Sequence, residues 1–131
     1  MIKFENNTQN FQPIQQQSIS PLTFFTTKIV TANANSKRIN IPHTIRNRFI
    51  ESNKVKYYYN VETGDLYADF RPNPDEIVPE KIEYKDVEIR KTGWSYYISL
   101  PSKWYKHCKP IKASFTQLQS KRTVYKITLY D

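Results

Sequence analysis

Two segments of this chain carry the same order of apolar residues before a proline, and this repeat limits the folds open to it. The run Ile39-Asn40-Ile41-Pro42 corresponds to Ile98-Ser99-Leu100-Pro101, 59 positions later (101 − 42). Each run alternates apolar and polar residues, which is typical of a strand with one buried face. Repetition of this kind predicts two copies of one supersecondary unit.

A short helix is predicted after each proline. Pro42 suits the first helical position, because its missing N–H would be unpaired there in any case. Ile45 and Phe49 lie four residues apart and share one face of a helix that runs to about Ser52. The second helix is predicted to end at Lys109-Pro110. The offset of 59 aligns two more apolar pairs: Ile45 with Trp104, and Phe49 with Cys108.

The remaining runs rich in β-branched and aromatic residues predict strands. These runs are residues 22–30, 38–41, 55–61, 66–70, 87–90, 97–100, 111–118 and 123–130. A shift of about three residues after the helix aligns Val55 with Ile111 and Tyr59 with Phe115. The predicted fold is mainly β with short helices (α+β). It has a flexible polar arm (1–22), a first unit (23–71), an acidic connector (72–86) and a second unit (87–131).

The charge is distributed in blocks. The chain of 131 residues has a net charge of +8, which favours a polyanionic partner. Residues 28–56 hold seven Lys/Arg and one acid, and residues 87–131 hold nine Lys/Arg and two acids. Residues 57–86 between them hold eight acids and three Lys/Arg. Two basic blocks that flank an acidic middle differ from the charge distribution of a surface on which the two signs are evenly mixed.

Several functional classes are not indicated by the sequence. The single Cys108 cannot form an intramolecular disulfide, and we expect neither a secretory signal nor a membrane partner. His43 and His107 have no partner at the spacing of metal ligands, and two glycines make no phosphate-binding loop. We therefore predict a cytoplasmic protein that is not an enzyme, with no cofactor, no metal and no small-molecule substrate.

The motifs around the two prolines resemble a known family. The run RINIPHTIR (residues 38–46) is similar to the signature G-[RK]-hydrophobic-x-[IL]-P-x-x-[IL]-R of AbrB/SpoVT/MazE domains. The run RKTGWSYYISLPSKW (residues 90–104) resembles the archaeal form, in which K-T-G-x-S precedes a strand ending in L-P. The resemblance covers roughly residues 27–70 and 87–130. The first copy departs from it, with Ser36-Lys37 where the family has Gly.

The resemblance implies β-β-α-β-β units that interleave their hairpins into one shared core. With two diverged units in one chain, an intramolecular pseudo-dimer and a homodimer both remain open. Known members are dimeric regulators or antitoxins that bind double-stranded DNA.

The family's DNA contacts carry over unevenly to the two halves. On the first strand of the second half they correspond to Arg90 and Lys91. In the first half, the basic residue nearest to these positions is Lys28. Four positions before and after the first proline, Arg38 and Arg46 match the family's basic residues. We predict these two arginines as base or phosphate contacts. Four further cations are predicted phosphate contacts: Lys37, Arg48, Lys103 and Lys106.

The aromatic residues have both structural and functional interpretations. Tyr57, Tyr59 and Tyr67 alternate along strands, which favours a place in the core, and Trp104 is predicted in the core as well. Tyr96 and Tyr97 are consecutive, so one of them must face outward. Trp94 lies in a predicted turn, either exposed to a partner or buried by the interleaved hairpins.

Three functions remain open. The first is a nucleoid-associated transcriptional regulator that binds a pseudo-palindromic site. The second is an architectural or packaging protein that coats DNA with little specificity. The third is an antitoxin-like interaction module. The K-T-G-x-S motif favours an archaeal or archaeal-virus origin, and the Lys, Ile, Asn and Tyr content fits an AT-rich genome. A virus-encoded protein would act in the host cytoplasm.

Overall fold

The computed structural model describes residues 24–33, 36–105 and 108–131. The predicted arm (1–22) lies outside the described residues, as do Lys106 and His107. The mainly β prediction is confirmed, since the described residues form nine strands, one α-helix and one 3₁₀ helix. The strands are β1 (Phe24–Asn33), β2 (Ser36–Asn40), β3 (Lys54–Asn60), β4 (Leu66–Asp69), β5 (Ile82–Glu88), β6 (Arg90–Thr92), β7 (Ser95–Leu100), β8 (Lys112–Gln117) and β9 (Val124–Tyr130).

The nine strands form one antiparallel sheet that nearly closes on itself. Its order is β5-β3-β4-β9-β8-β1-β2-β7-β6. The two strands at the ends of this order, β5 and β6, are consecutive in the chain and separated by Ile89 alone. The Ile89 backbone N–H donates to the carbonyl of Asn53, 2.8 Å away. The chain itself therefore joins the two edges of the sheet.

Strands from the two halves of the chain pair with each other. Ile39 on β2 lies opposite Ile98 on β7, and Tyr67 on β4 lies opposite Lys126 on β9. In both pairs the partners are 59 positions apart (98 − 39 and 126 − 67). The other cross-pairs are β1 with β8 and β5 with β3. Exchanging the two halves leaves this pairing pattern unchanged, so a pseudo-two-fold axis passes between Ile39 and Ile98.

The registers correct the alignment predicted after the helix. Tyr57 on β3 lies opposite Lys85 on β5, and Phe115 on β8 lies opposite Phe25 on β1. Tyr57 and Phe115 therefore occupy equivalent places, so the predicted match of Tyr59 with Phe115 is wrong. The error is two residues. Because side chains alternate along a strand, a shift of two leaves the inward-facing set unchanged, and the apolar pattern could not detect it.

Both helices are shorter than predicted. Helix α1 spans His43–Arg48, and Pro42 is its N-cap rather than its first residue. The chain leaves the helix at Phe49, whose ring turns into the core, so the predicted end at Ser52 is wrong. The second helix is a single 3₁₀ turn, Ser102–Trp104, because aromatic residues favour helices weakly and this segment is short. No helix in the described ranges could span a lipid bilayer.

The interior of the sheet is aliphatic near the pseudo-two-fold axis and aromatic away from it. Ile39, Ile45 and Ile98 have no exposed surface. On one side the ring centroids of Phe49 and Phe70 stack 5.7 Å apart. On the other side Trp104 replaces Ile45 and stacks on Tyr59, with centroids 5.4 Å apart. The predicted core positions of Trp104 and Tyr57 are confirmed, and Tyr59 is partly buried against the same cluster. Tyr67 is buried as well, but in a separate apolar cluster.

The predicted connector (72–86) is partly a strand. Strand β5 begins at Ile82, and its apolar alternation is interrupted by acids, which concealed it in the sequence. The preceding segment packs Val78 against a second apolar cluster on the outer side of β3, β4 and β9. That cluster contains Tyr58, Tyr67 and Val124. The acidic segment therefore covers one outer side of the sheet.

Candidate nucleic-acid interface

Four neighbouring strands, β1, β2, β7 and β6, present a continuous outer surface. Ile29, Ile39 and Ile98 are buried in the core, so the residues next to them in each strand point outward. Residues directly opposite each other on paired strands share a face. We call this outer side the basic face. Its residues are Lys28, Val30, Arg38, Asn40, Arg90, Tyr97 and Ser99.

Arg38 and Tyr97 lie at the centre of the basic face. They flank the pseudo-two-fold axis, because their neighbours Ile39 and Ile98 are directly opposite each other. The Arg38 guanidinium carbon lies 4.4 Å from the centre of the Tyr97 ring. A guanidinium over an aromatic face can keep its in-plane N–H donors available for hydrogen bonds. Arg38 is thereby held ready for a planar acceptor.

Two further cations extend the basic face to its edges. Arg90 on β6 is opposite Tyr97, and Lys28 on β1 is exposed, opposite Lys112 on β8. The Arg90 Nη2 atom lies 3.9 Å from the Glu88 Oε1 atom, and both side chains are mostly exposed. An exposed ion pair of this kind contributes little and exchanges readily for another anion.

The four strands of this surface carry cations and no acids. Their sequences contain five Lys/Arg and no Asp or Glu. Among the described residues, no carboxylate lies within 4.0 Å of Lys28, Lys37, Arg38 or Lys91. These positive charges are therefore not neutralised by ion pairs within that part of the protein.

Lys37 and Lys91 lie at the ends of the hairpins. The Lys37 Nζ atom donates to the Thr31 Oγ1 atom at 2.9 Å and is 5.9 Å from the centre of the Tyr105 ring. The Lys91 Nζ atom is 5.7 Å from the centre of the Tyr96 ring. By strand alternation, the side chains of both lysines start on the core side of the sheet. Their amines extend to the rim of the sheet.

Arg46 lies away from the basic face. It is half-buried, and its Nη1 atom donates to the carbonyl oxygens of Phe49 at 3.3 Å and Ser52 at 2.7 Å. Its guanidinium carbon is also 4.4 Å from the centre of the Tyr96 ring. These contacts hold the turn that follows α1. The sequence predicted a DNA contact here, whereas the structure gives Arg46 a role in the fold.

The other predicted phosphate contacts also lie apart from the basic face. The Arg48 Nη1 atom donates to the Tyr125 hydroxyl at 2.9 Å. The Lys103 Nζ atom lies 3.5 Å from the Glu83 Oε1 atom. Lys106 lies outside the described residues. Of the nine predicted contacts, Lys28, Arg38 and Arg90 lie on the basic face, with Lys37 and Lys91 at its rim.

Acidic side chains concentrate on the opposite side of the sheet. The Tyr58 hydroxyl donates to the Glu76 Oε1 atom at 2.9 Å. The Lys121 Nζ atom lies 3.5 Å from the Glu76 Oε1 atom and 3.6 Å from the Asp69 Oδ2 atom. Burial raises the pKa of Tyr58, and the hydrogen bond to Glu76 raises it further. These contacts fix the acidic segment to β3 and β4, so the two sides of the protein differ in charge.

The structure also identifies surface residues that the sequence left open. Tyr97 is the outward-facing member of its tyrosine pair, while Tyr96 packs against the core. Trp94 is exposed rather than buried by the hairpins. Asn40 and Ser99 complete the basic face, and strand alternation around Ile39 and Ile98 was the available signal for them.

Two further features concern metal binding and the single thiol. The described part of the chain has no group of three His, Cys, Asp or Glu that could hold a metal ion. Burial raises the pKa of the Cys108 thiol, and the charge of Asp131 raises it further. A raised pKa disfavours the reactive thiolate.

Comparison of the chain with protein-family models, with curated proteins and with solved structures found no match.

Proposed function

We propose that this protein binds double-stranded DNA through the basic face and acts as a transcriptional regulator of the AbrB-like type. The observation that carries the proposal is the charge of four adjacent strands, which hold five cations and no acid, three of the cations on the basic face and two at its rim. Cations that lack carboxylate partners release counterions when they meet phosphates, and this supplies affinity.

The proposal includes two swapped-hairpin units in one chain. Its support is the interleaved pairing, in which the first strand of each half pairs with the third strand of the other half. Under this proposal the first unit is residues 23–71, and the second, predicted at 87–131, also takes in strand β5 and so begins at Ile82. The two units form an intramolecular pseudo-dimer. The pseudo-two-fold axis through the basic face would then coincide with the dyad of a pseudo-palindromic site.

The residues of the basic face divide into two roles. Arg38, stacked on Tyr97 at the axis, can present two parallel N–H groups to a guanine edge. Arg90 and Lys28 lie farther out and would contact phosphates on either side, with Lys37 and Lys91 at the ends of the hairpins. The acidic side opposite would face away from DNA and orient the approach.

The test measures binding of the full-length protein to a labelled duplex by fluorescence anisotropy, at about 50 and 200 mM salt. The probes are the region upstream of the protein's own gene and a scrambled duplex of equal composition. A preference of about 10³-fold for the upstream region is expected of a regulator. Absence of binding to either duplex at the lower salt would contradict the proposal.

A charge-matched pair of variants locates the interface. Arg38→Gln with Arg90→Gln should weaken binding about 30-fold and lower the salt-dependence slope by about 1, because Arg90 is the phosphate contact of the two. The control, Lys85→Gln with Arg122→Gln, removes the same charge from exposed positions outside the basic face. It should change affinity by about twofold or less. Equal losses in the two variants would place the interface elsewhere.

A low-specificity architectural protein is the second candidate. It is favoured by the internal contacts of Arg46, whose Nη1 atom is held by two carbonyl oxygens, which leaves Arg38 as the main candidate reader of bases. Equal binding to both duplexes, with affinity that collapses as salt rises, would select this function.

A further inference from the structure

The hairpin between β6 and β7 exposes a tryptophan at its tip. Trp94 is 89 % exposed, more than any other large apolar side chain among the described residues. Thr92 and Ser95 close the hairpin, so Gly93 and Trp94 form a two-residue turn. Gly93 has φ = +60°, the positive value that such turns require at their first central position. The turn therefore projects the indole into solvent.

The chain around Trp94 is basic and free of acids. Strand β6 is Arg90-Lys91-Thr92, and strand β7 contains no acid. Arg90 belongs to the basic face, and the Lys91 amine lies at the same end of the hairpin. Ile77, which is 82 % exposed, instead lies between Asp75 and Glu80 in the acidic segment. Of these two exposed apolar groups, Trp94 alone is in a position to approach a polyanion.

The equivalent hairpin of the first half offers no such group. The chain between β1 and β2 is Ala34-Asn35, which contains no aromatic residue. An exposed indole on one of two related hairpins contributes little to the fold, since a side chain that is 89 % exposed buries almost no apolar surface. Its position therefore indicates a ligand with a planar apolar surface and negative charge beside it.

We propose that Trp94 inserts between two base pairs of double-stranded DNA while Arg90 and Lys91 hold the adjacent phosphates. This inference rests on the proposed function and adds a contact outside the basic face. Apolar side chains that enter a base step unstack it and kink the duplex, and the bend brings more phosphates to the protein. Because only one hairpin carries the indole, each bound chain should produce one kink, to one side of the pseudo-two-fold axis.

The two tryptophans make this insertion measurable. Trp104 is buried, and its Nε1 atom donates to the Glu83 Oε1 atom at 3.0 Å, so its emission should not respond to DNA. Emission from Trp94 should be quenched by stacked bases and protected from acrylamide when a duplex of about 25 base pairs is added. In Trp94→Phe the response should disappear while binding is largely kept, because phenylalanine can also enter a base step.

A second measurement tests the kink directly. With fluorophores at both ends of the duplex, the end-to-end distance should shorten with the wild-type protein and not with Trp94→Ala. Trp94→Ala should also weaken binding about tenfold. The matched control is Ile77→Ala, which removes a similarly exposed side chain from the acidic segment. It should change neither the affinity nor the end-to-end distance.

Anisotropy of the labelled DNA separates failure of this inference from failure of the proposed function. If the duplex binds but Trp94 emission and the bend are unchanged, or Trp94→Ala binds and bends as the wild type does, the insertion is wrong and the interface stands. Tighter binding to the single strand, with the same quenching, would replace insertion by stacking on unpaired bases. Absence of duplex binding would overturn both proposals.

Discussion

Three positions in the first half of the chain hold cations, and the positions 59 residues later hold tyrosines. The pairs are Lys37 and Tyr96, Arg38 and Tyr97, and Arg46 and Tyr105. In the folded protein each cation lies over a tyrosine of the other half. Arg38 is 4.4 Å from the Tyr97 ring centre and Arg46 is 4.4 Å from that of Tyr96. Lys37 is 5.9 Å from the Tyr105 ring centre.

This difference between the halves bears on how they choose a partner. Each cation–ring contact contributes on the order of 0.5–2 kcal/mol. If two chains paired through their first halves, Arg38 would face a second Arg38 across the axis and Arg46 would face Lys37. Like charges at such contacts are destabilising, so the divergence of the halves favours pairing within one chain.

The largest expected effect separates Arg46 from Arg38, which stack on tyrosines at the same distance. Arg46→Ala should lower the free energy of unfolding by about 2 kcal/mol, because the carbonyls of Phe49 and Ser52 lose a charged donor. Arg38→Ala removes a contact at the surface and should cost about 0.5 kcal/mol. Urea unfolding measures both. DNA affinity should follow the opposite order, and equal effects of the two variants in both assays would contradict this division.

Tyr57 and Phe115 occupy equivalent core positions and differ by one hydroxyl. The Tyr57 hydroxyl is buried without a hydrogen-bond partner in the described part of the protein, and burial raises its pKa. Tyr57→Phe should therefore stabilise the protein by about 1 kcal/mol, since a buried unpaired hydroxyl is unfavourable. The reciprocal control, Phe115→Tyr, buries a second hydroxyl and should destabilise by about 1–3 kcal/mol. Thermal unfolding of the two variants measures both effects. If Tyr57→Phe destabilised the protein, the Tyr57 hydroxyl would have a hydrogen-bond partner, and the prediction would be wrong.

An exchange across the axis tests the pairing of cation and ring. Tyr97→Arg alone places two arginines side by side and should destabilise by about 0.5–1 kcal/mol. Adding Arg38→Tyr restores one cation and one ring in reversed positions, so stability should return to near the wild-type value. A double-mutant cycle from urea unfolding gives the coupling energy. Additive effects of the two substitutions would show that the stacking contributes nothing.

Most strands and the basic character of the surface could be predicted from the sequence. The position and contacts of each Lys and Arg side chain could not. Alternation around Ile39 and Ile98 revealed the strands and the pseudo-symmetry. Strand β5 was missed because acids interrupt its apolar residues. Pairing between the halves is long-range, so no local pattern specifies it. Arg38 and Arg46 match the same motif, yet Arg38 faces outward and Arg46 bonds two carbonyls. That difference depends on where the chain turns after α1.

The smallest expected effect concerns Glu83, the carboxylate that accepts the hydrogen bond of the Trp104 indole. Trp104 occupies the position equivalent to Ile45. An indole N–H needs an acceptor and an isoleucine does not, so the second half requires Glu83 where the first half requires no such group. The hydrogen bond from Trp104 lowers the pKa of Glu83, and the charge of Lys103 lowers it further. Ionised Glu83 therefore favours the folded state above the pKa of the unfolded chain, and this contribution is lost as pH falls through the folded pKa.

Glu83→Gln keeps an oxygen acceptor for the indole and removes the titrating group. From about pH 5 to pH 3 the melting temperature of the wild type should fall more steeply than that of Glu83→Gln. The other carboxyl groups are common to both proteins and cancel in the comparison. Lys103→Gln should produce a smaller change in the same direction, since the charge of Lys103 lowers the pKa of Glu83 less than the hydrogen bond from Trp104 does. Parallel melting curves for the wild type and Glu83→Gln would mean that Trp104 does not depend on the charge of its acceptor.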